Sequence, residues 1–280
     1  MTATELLRSV DPSPAARFVE VAGLRLEMTQ AGAGRPILFL HPGIGLRDAE
    51  PFITRLAGLG GVLAPAHPGF HRSDLPAGMA TVDDIAYVYL DLLQSLDEPA
   101  VVIGSSLGGW IALETAVKST HNIAALVLVD SVGVRFAERD GADFADIYAL
   151  PRAEIDRRLY HDPGRGRLDY PQMPQSELEI LARNREAEAR FCWSPYLHSP
   201  RLAARLHRIG VPAAVIWGES DGLAPPAYGR QLAARLPRAT FETIPAAGHF
   251  PHIEQPDALA ASIAGFLEGQ GFASQKGQAR

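Results

Sequence analysis

The 280-residue chain contains a single cysteine, Cys192. One thiol cannot make an intramolecular disulfide, so the fold must be held by its core, and the ordinary place of such a residue is among small apolar side chains. The chain also lacks a long apolar run. Its first residues, MTATELLRSVDPSP, set Glu5, Arg8 and Asp11 where a signal-peptide core would have to build. Neither a leader nor a membrane span is therefore expected, and the cytoplasm is the simplest location. Basic runs are missing as well. Lys and Arg number 26 against 32 Asp and Glu, a formal charge of -6 that argues against nucleic acid as a partner. No internal repeat or low-complexity tract is evident.

What remains is an ordinary globular composition, 47% hydrophobic and 21% charged, long enough for one large core. Residues 17–30 alternate around Ala22-Gly23, which predicts a hairpin of partly exposed strands. After it, apolar runs of strand length recur at 37–41 (ILFLH), 61–66, 100–105 (AVVIGS), 123–130 and 211–218, and their continuity predicts parallel strands buried on both faces. Helical patterns over 49–59, 82–96 and 107–119 separate them; a helix at 226–236, a strand at 240–244 and a helix at 256–269 continue the alternation of a doubly wound α/β sheet. The stretch 131–200 breaks it. Charged helical segments such as PRAEIDRRLY and PQSELEILARNREAEARF, cut by Pro151, Pro163, Pro171 and Pro174, predict a helical cap with no strand of its own, inserted into a core formed by residues 1–130 and 201–280. The last residues, GFASQKGQAR, are expected to fray.

The strand AVVIGS runs directly into Gly104-Ser105-Ser106-Leu107-Gly108-Gly109 and a helix, the strand–turn–helix context in which a G-x-S-x-G pattern marks a nucleophile elbow. A serine hydroxyl needs a base to take its proton and an acid to orient that base. In this architecture the two follow in the order acid, histidine. His249 and His252 are the candidate bases, and His249, closer to its strand end, is favoured over His252, which suits packing or capping at the helix entrance. The acid is read as Asp221, just beyond the strand VPAAVIWG, with Asp130 and Glu219 as competitors; failing that role, Asp130 would cap a turn at the cap entrance. A tetrahedral intermediate also needs oxyanion donors. The amide of Leu107 supplies one, and the second comes from Gly43 or Ile44, since Pro42 has no N–H. His41, His67 and His71 lie in Gly/Pro turns without the close spacing and carboxylate or cysteine support of a zinc site, so no metal is expected.

The motifs HPGIG, HPGFHRSD, GSSLGG, WGESDGLAP and GHFPHIEQP, spread over residues 17–269, together resemble the alpha/beta-hydrolase superfamily. The resemblance implies a mostly parallel eight-stranded sheet, a helical cap over the pocket, no cofactor and acyl-enzyme chemistry. Serine at 106 departs from the aspartate of related epoxide hydrolases and haloalkane dehalogenases. Carbon–carbon bond hydrolases of aromatic ring-cleavage products resemble the chain in size and cap but carry asparagine where Ser105 stands and tryptophan where Phe250 stands. His41-Pro42 departs from the usual His-Gly start of the oxyanion loop.

The resulting expectation is hydrolysis of a small ester, thioester or lactone with an apolar or aromatic group. Carbon–carbon or enol-lactone cleavage by the same residues is the alternative, and a non-catalytic small-molecule receptor is the alternative of another class. Tyr148, Tyr160, Tyr170, Phe191, Trp193 and Tyr196 are candidates to line the pocket, and Asn184, Arg185 and Arg190 to touch a substrate carboxylate.

Overall fold

A computed structural model describes residues 15–138 and 141–272. The leaderless start and nearly all of the fraying tail expected above lie outside these residues. Ten strands follow in chain order: β1 (Ala15–Val21), β2 (Leu24–Ala31), β3 (Pro36–Leu40), β4 (Gly61–Pro65), β5 (Ala100–Ser105), β6 (Ile123–Val129), β7 (Gly133–Val134), β8 (His198–Ser199), β9 (Ala213–Gly218) and β10 (Ala239–Ile244). The helices are α1 (Glu50–Leu56), α2 (Val82–Gln94), α3 (Leu107–Lys118), α4 (Arg152–Leu159), α5 (Gln175–Cys192), α6 (Pro226–Arg235), α7 (Pro251–Glu254) and α8 (Pro256–Gly269).

Eight strands form one sheet in the order β1-β2-β4-β3-β5-β6-β9-β10. The expected hairpin is there: Ala22 and Gly23, with φ of 51° and 76°, turn β1 back on β2, matching the twist of an antiparallel pair. β2 also runs antiparallel to β4, and every other pairing in this sheet is parallel. The continuous apolar runs are explained by two cores. Along β3, Leu38 and Leu40 enter a cluster shared with α2, α3 and α6, while Ile37 and Phe39 enter one shared with α1 and α8. β9 divides the same way, Val215 and Trp217 to the first and Ala214 and Ile216 to the second. A strand covered on both faces has no reason to alternate.

The chain winds outward from β3 in both directions, toward β4 and toward β5, and such a switch point leaves a crevice at the carboxyl ends of the strands. Between β6 and β9 the chain holds α4 and α5. It also holds β7 and β8, which pair in parallel through Gly133↔His198 and Val134↔Ser199. That corrects the expectation of a strand-free insertion; ladders of two residues are too short to leave any periodicity in sequence. Among the described residues no helix is long and apolar enough to cross a membrane.

Candidate active site

Ser106 sits between β5 and α3 with φ 51° and ψ -114°, a conformation that costs a non-glycine residue on the order of 1–3 kcal/mol. Its backbone is pinned on both sides: the N–H donates to Val129 O (2.9 Å), and the carbonyl accepts from Trp110 N (3.1 Å) and Val132 N (3.3 Å). The turn fits because Gly108 has no side chain. A Cβ there would collide with the Leu40 carbonyl at the end of β3.

Two loops meet Ser106 from the other side. Asp221 follows β9 and His249 follows β10, and the loops touch where a Cβ on Gly218 would overlap the Gly248 carbonyl. His249 Nδ1 lies 2.8 Å from Asp221 Oδ2 and His249 Nε2 lies 2.8 Å from Ser106 Oγ. The carboxylate accepts at Nδ1–H, which leaves Nε2 unprotonated and facing the hydroxyl proton. Asp221 Oδ1 is held in turn by the amides of Leu223 (2.8 Å) and Ala224 (3.1 Å). All three side chains are buried, Ser106 most exposed at 7%. The arrangement can draw a proton from the serine and return it without moving a heavy atom far.

The competitors go elsewhere. Glu219 is exposed to solvent. His252 is fully buried among Phe39, Phe52 and Phe250 with both ring nitrogens unpartnered; burial, then the charge on His249, pushes it down to about 3. Asp130 does not cap the insertion's entrance. With φ 45° it turns back toward β9, where Oδ1 accepts from Gly218 N at 2.8 Å, and a carboxyl oxygen lies within 4.8 Å of a carboxylate oxygen of Asp221 and a ring nitrogen of His249. Burial, then the charge of Asp221, holds Asp130 well above the usual carboxylate range.

Leu107, Gly43 and Ile44 line the same pocket as Ser106, and their amides have no acceptor among the described residues. The turn that presents the latter two is closed by Gly45 N donating to Pro42 O (2.9 Å) and propped from the insertion by Asn184, whose Nδ2 donates to Ile44 O (3.2 Å) and whose Oδ1 accepts from His71 N (2.8 Å). The other histidines are spent on structure. His41 Nδ1 donates to Pro42 O (2.7 Å) and its Nε2 accepts from His67 N (3.0 Å); His67 Nε2 donates to His41 O (2.9 Å) and its Nδ1 meets the Tyr89 hydroxyl. Burial lowers both, His67 to about 3, so the network is one of neutral rings.

The pocket holds about 340 Å³, and its walls include Ile44, Leu159, Leu197 and Leu223 beside Ser106 and His249. Of the six cap aromatics, Tyr148 and Tyr160 line it. Tyr170 and Trp193 face solvent, Phe191 packs in the core, and the Tyr196 hydroxyl donates to Ala145 O (2.7 Å). Arg185 reaches the pocket, whereas Arg190 donates to Met79 O (3.2 Å) outside it. Sequence reasoning missed Arg47, Arg152 and Glu188, which also line the pocket; Arg47 lay within sight, two residues past the HPGIG motif.

A sequence model described as the alpha/beta hydrolase family matches residues 37–262, from β3 into α8, the span that holds every element of this site. The chain belongs to the alpha/beta hydrolase family. The hydrolase is 29% identical over 273 residues to a 2-hydroxymuconate semialdehyde hydrolase of Pseudomonas sp., covering 90% of this chain and 93% of that one. It is 29% identical over 209 residues to the biotin biosynthesis bifunctional protein BioHC of Teredinibacter turnerae, 67% of this chain but only 36% of that longer relative. In fold it is similar to a 2-hydroxy-6-oxo-6-phenylhexa-2,4-dienoate hydrolase from Rhodococcus sp., with a TM-score of 0.72 at 20% identity over 91% of this chain and 99% of the other.

Proposed function

We propose that the hydrolase cleaves a small carboxylic ester, thioester or lactone through an acyl-enzyme on Ser106. His249 takes the serine proton as the hydroxyl attacks the carbonyl, Leu107 and either Gly43 or Ile44 donate to the oxyanion, and His249 returns the proton to the leaving group. Asp221 holds the ring and stabilises the imidazolium as it forms. Water then resolves the acyl-enzyme. Residues 131–200 act as the cap that closes the crevice, the substrate carries an apolar or aromatic group suited to the aliphatic walls, and the protein works in the cytoplasm. The observation that carries this reading is the relay itself, two 2.8 Å hydrogen bonds ending at a strained serine that opens on an aliphatic pocket.

A second reading, carbon–carbon cleavage of a ketone-bearing substrate by the same residues, is favoured by the near full-length similarity to the Pseudomonas hydrolase. Ser105 and Phe250 weigh against it.

Steady-state hydrolysis of graded p-nitrophenyl esters by the wild type and Ser106→Ala tests the proposal. Turnover should fall about a millionfold in the variant. Turnover of vinylogous diketones but no ester would move the assignment to carbon–carbon cleavage, and tight binding of both with negligible turnover would make the protein a receptor.

A further inference from the structure

Glu188 is a carboxyl that no described residue holds by a hydrogen bond. It projects from α5 into the pocket that contains Ser106 and His249, and its Oε1 rests against Gly43 in the space that a Cβ there would fill. Burial raises it to about 7, opposed by the charges of His249 and Arg185.

Its position has two consequences. While the pocket is open, water can satisfy the carboxyl; a substrate that fills 340 Å³ displaces that water and must either donate to Glu188 or leave a buried acceptor unmet. Gly43 is also one of the two proposed sources of the second oxyanion donor, so an unpaired negative charge beside it opposes the charge that develops in the transition state, and a donor from the substrate damps that opposition. An ammonium could serve, but Arg47, Arg152 and Arg185 line the same pocket and repel a cation. A neutral hydroxyl meets both demands.

Resting on the hydrolase reading above, we propose that Glu188 is a specificity residue that accepts a hydrogen bond from a hydroxyl close to the scissile carbonyl, so that hydroxyacyl esters are the substrate class. The hydroxyl belongs on the acyl side, one or two carbons from the carbonyl, because Glu188 lies over the loop that faces the carbonyl oxygen.

The test compares ethyl β-hydroxybutanoate with ethyl β-methylbutanoate, which has the same shape, by pH-stat in the wild type, Glu188→Leu and Glu188→Gln; ethyl β-aminobutanoate probes the cation. The wild type should favour the hydroxy ester by about tenfold or more in kcat/KM, as expected of a hydrogen bond to a charged group. Glu188→Leu should erase that ratio while still cleaving ethyl β-methylbutanoate, and Glu188→Gln, a weaker acceptor, should reduce it. A ratio unchanged in Glu188→Leu overturns the proposal, as does preference for the amine. If Glu188→Leu is inactive on both esters, an unchanged ratio in Glu188→Gln overturns it. A wild type that cleaves none of the esters marks failure of the hydrolytic reading instead; the same ratios are then read as affinities by calorimetry with Ser106→Ala, with and without Glu188→Leu, and equal affinities reject the role of Glu188.

Discussion

The two walls of the pocket are built on opposite plans. On the wall formed by the sheet, polar groups interlock: Asp221 binds two amides and a ring nitrogen, and His249 bridges Asp221 to Ser106. On the wall formed by the insertion, Glu188 meets no donor among the described residues, and Tyr148 lines the same space. A preorganised polar network rigidifies the site where charge must develop at a fixed point. An unpaired group leaves room for whichever molecule can pair with it. On the proposed function, reaction belongs to the sheet wall and selection to the insertion wall, and substitutions on each should therefore fail differently.

The largest effect is expected at the centre of the sheet wall. Asp221→Asn should lower kcat about ten-thousandfold by favouring the wrong tautomer of His249, with little change in KM; a drop of less than tenfold would mean that Asp130 can take over as the acid. Next comes the contact between the two loops. Gly218→Ala forces a Cβ against the Gly248 carbonyl and should cost about 1–3 kcal/mol in urea unfolding, together with a fall in kcat as Asp221 and His249 part. Unchanged stability would show that the loops are looser than their packing implies.

A third prediction uses pH. His252 has an ordinary value near 6.5 when unfolded and about 3 in the folded protein, so between these values the unfolded chain binds a proton that the folded chain refuses. Its contribution to stability is present above pH 6.5 and is lost as pH falls toward 3, at about 1.4 kcal/mol per unit. His252→Leu should flatten the acid side of the stability curve by that slope relative to wild type; identical slopes would place the ring in water. The smallest effect belongs to the insertion wall. Tyr148→Ala should change kcat on a small acetate ester less than tenfold while shifting which acyl chains are preferred, and a uniform loss across the ester panel would mean that the ring supports the reacting groups directly.

These walls were not equally legible in sequence. The sheet wall is written in local signals: a strand that ends in Gly104-Ser105-Ser106-Leu107-Gly108, an acid and a histidine just past the ends of the last two strands. Each depends on neighbours a few residues away. The hairpin at Ala22-Gly23 follows from an equally local pattern, whereas the eight-stranded sheet comes with the family resemblance and its strand order is not read from the sequence. Asp130 was harder, because its partner Gly218 lies 88 residues away and its positive φ has no marker of its own. The insertion wall was hardest. On α5 the charges look alike, and whether Glu188, Arg185 or Arg190 turns toward the pocket depends on how that helix lies over the sheet, which helical periodicity alone does not contain. The six aromatics show the same limit, since two reach the pocket and the others serve the insertion's own packing or face water.

The end of α4 is fastened to the reacting loops by main chain. Arg158 O accepts from Gly222 N (2.8 Å) and Leu159 O from His249 N (2.7 Å), while the Glu254 carboxylate collects the amides of Gly248, His161 and Asp162. Among the described residues, α5 is tied by polar side-chain arms, through Asn184, Arg183 to Ser73 O, and Arg190 to Met79 O, and by Ala187, Phe191 and Cys192 buried in the core. Displacing α4 would drag the His249 backbone with it, whereas displacing α5 would break side-chain contacts and uncover Ala187, Phe191 and Cys192. Glu188 sits on α5, so the group proposed to inspect the substrate is carried by the helix that, among the described residues, has no main-chain hydrogen bond to the Asp221 and His249 loops.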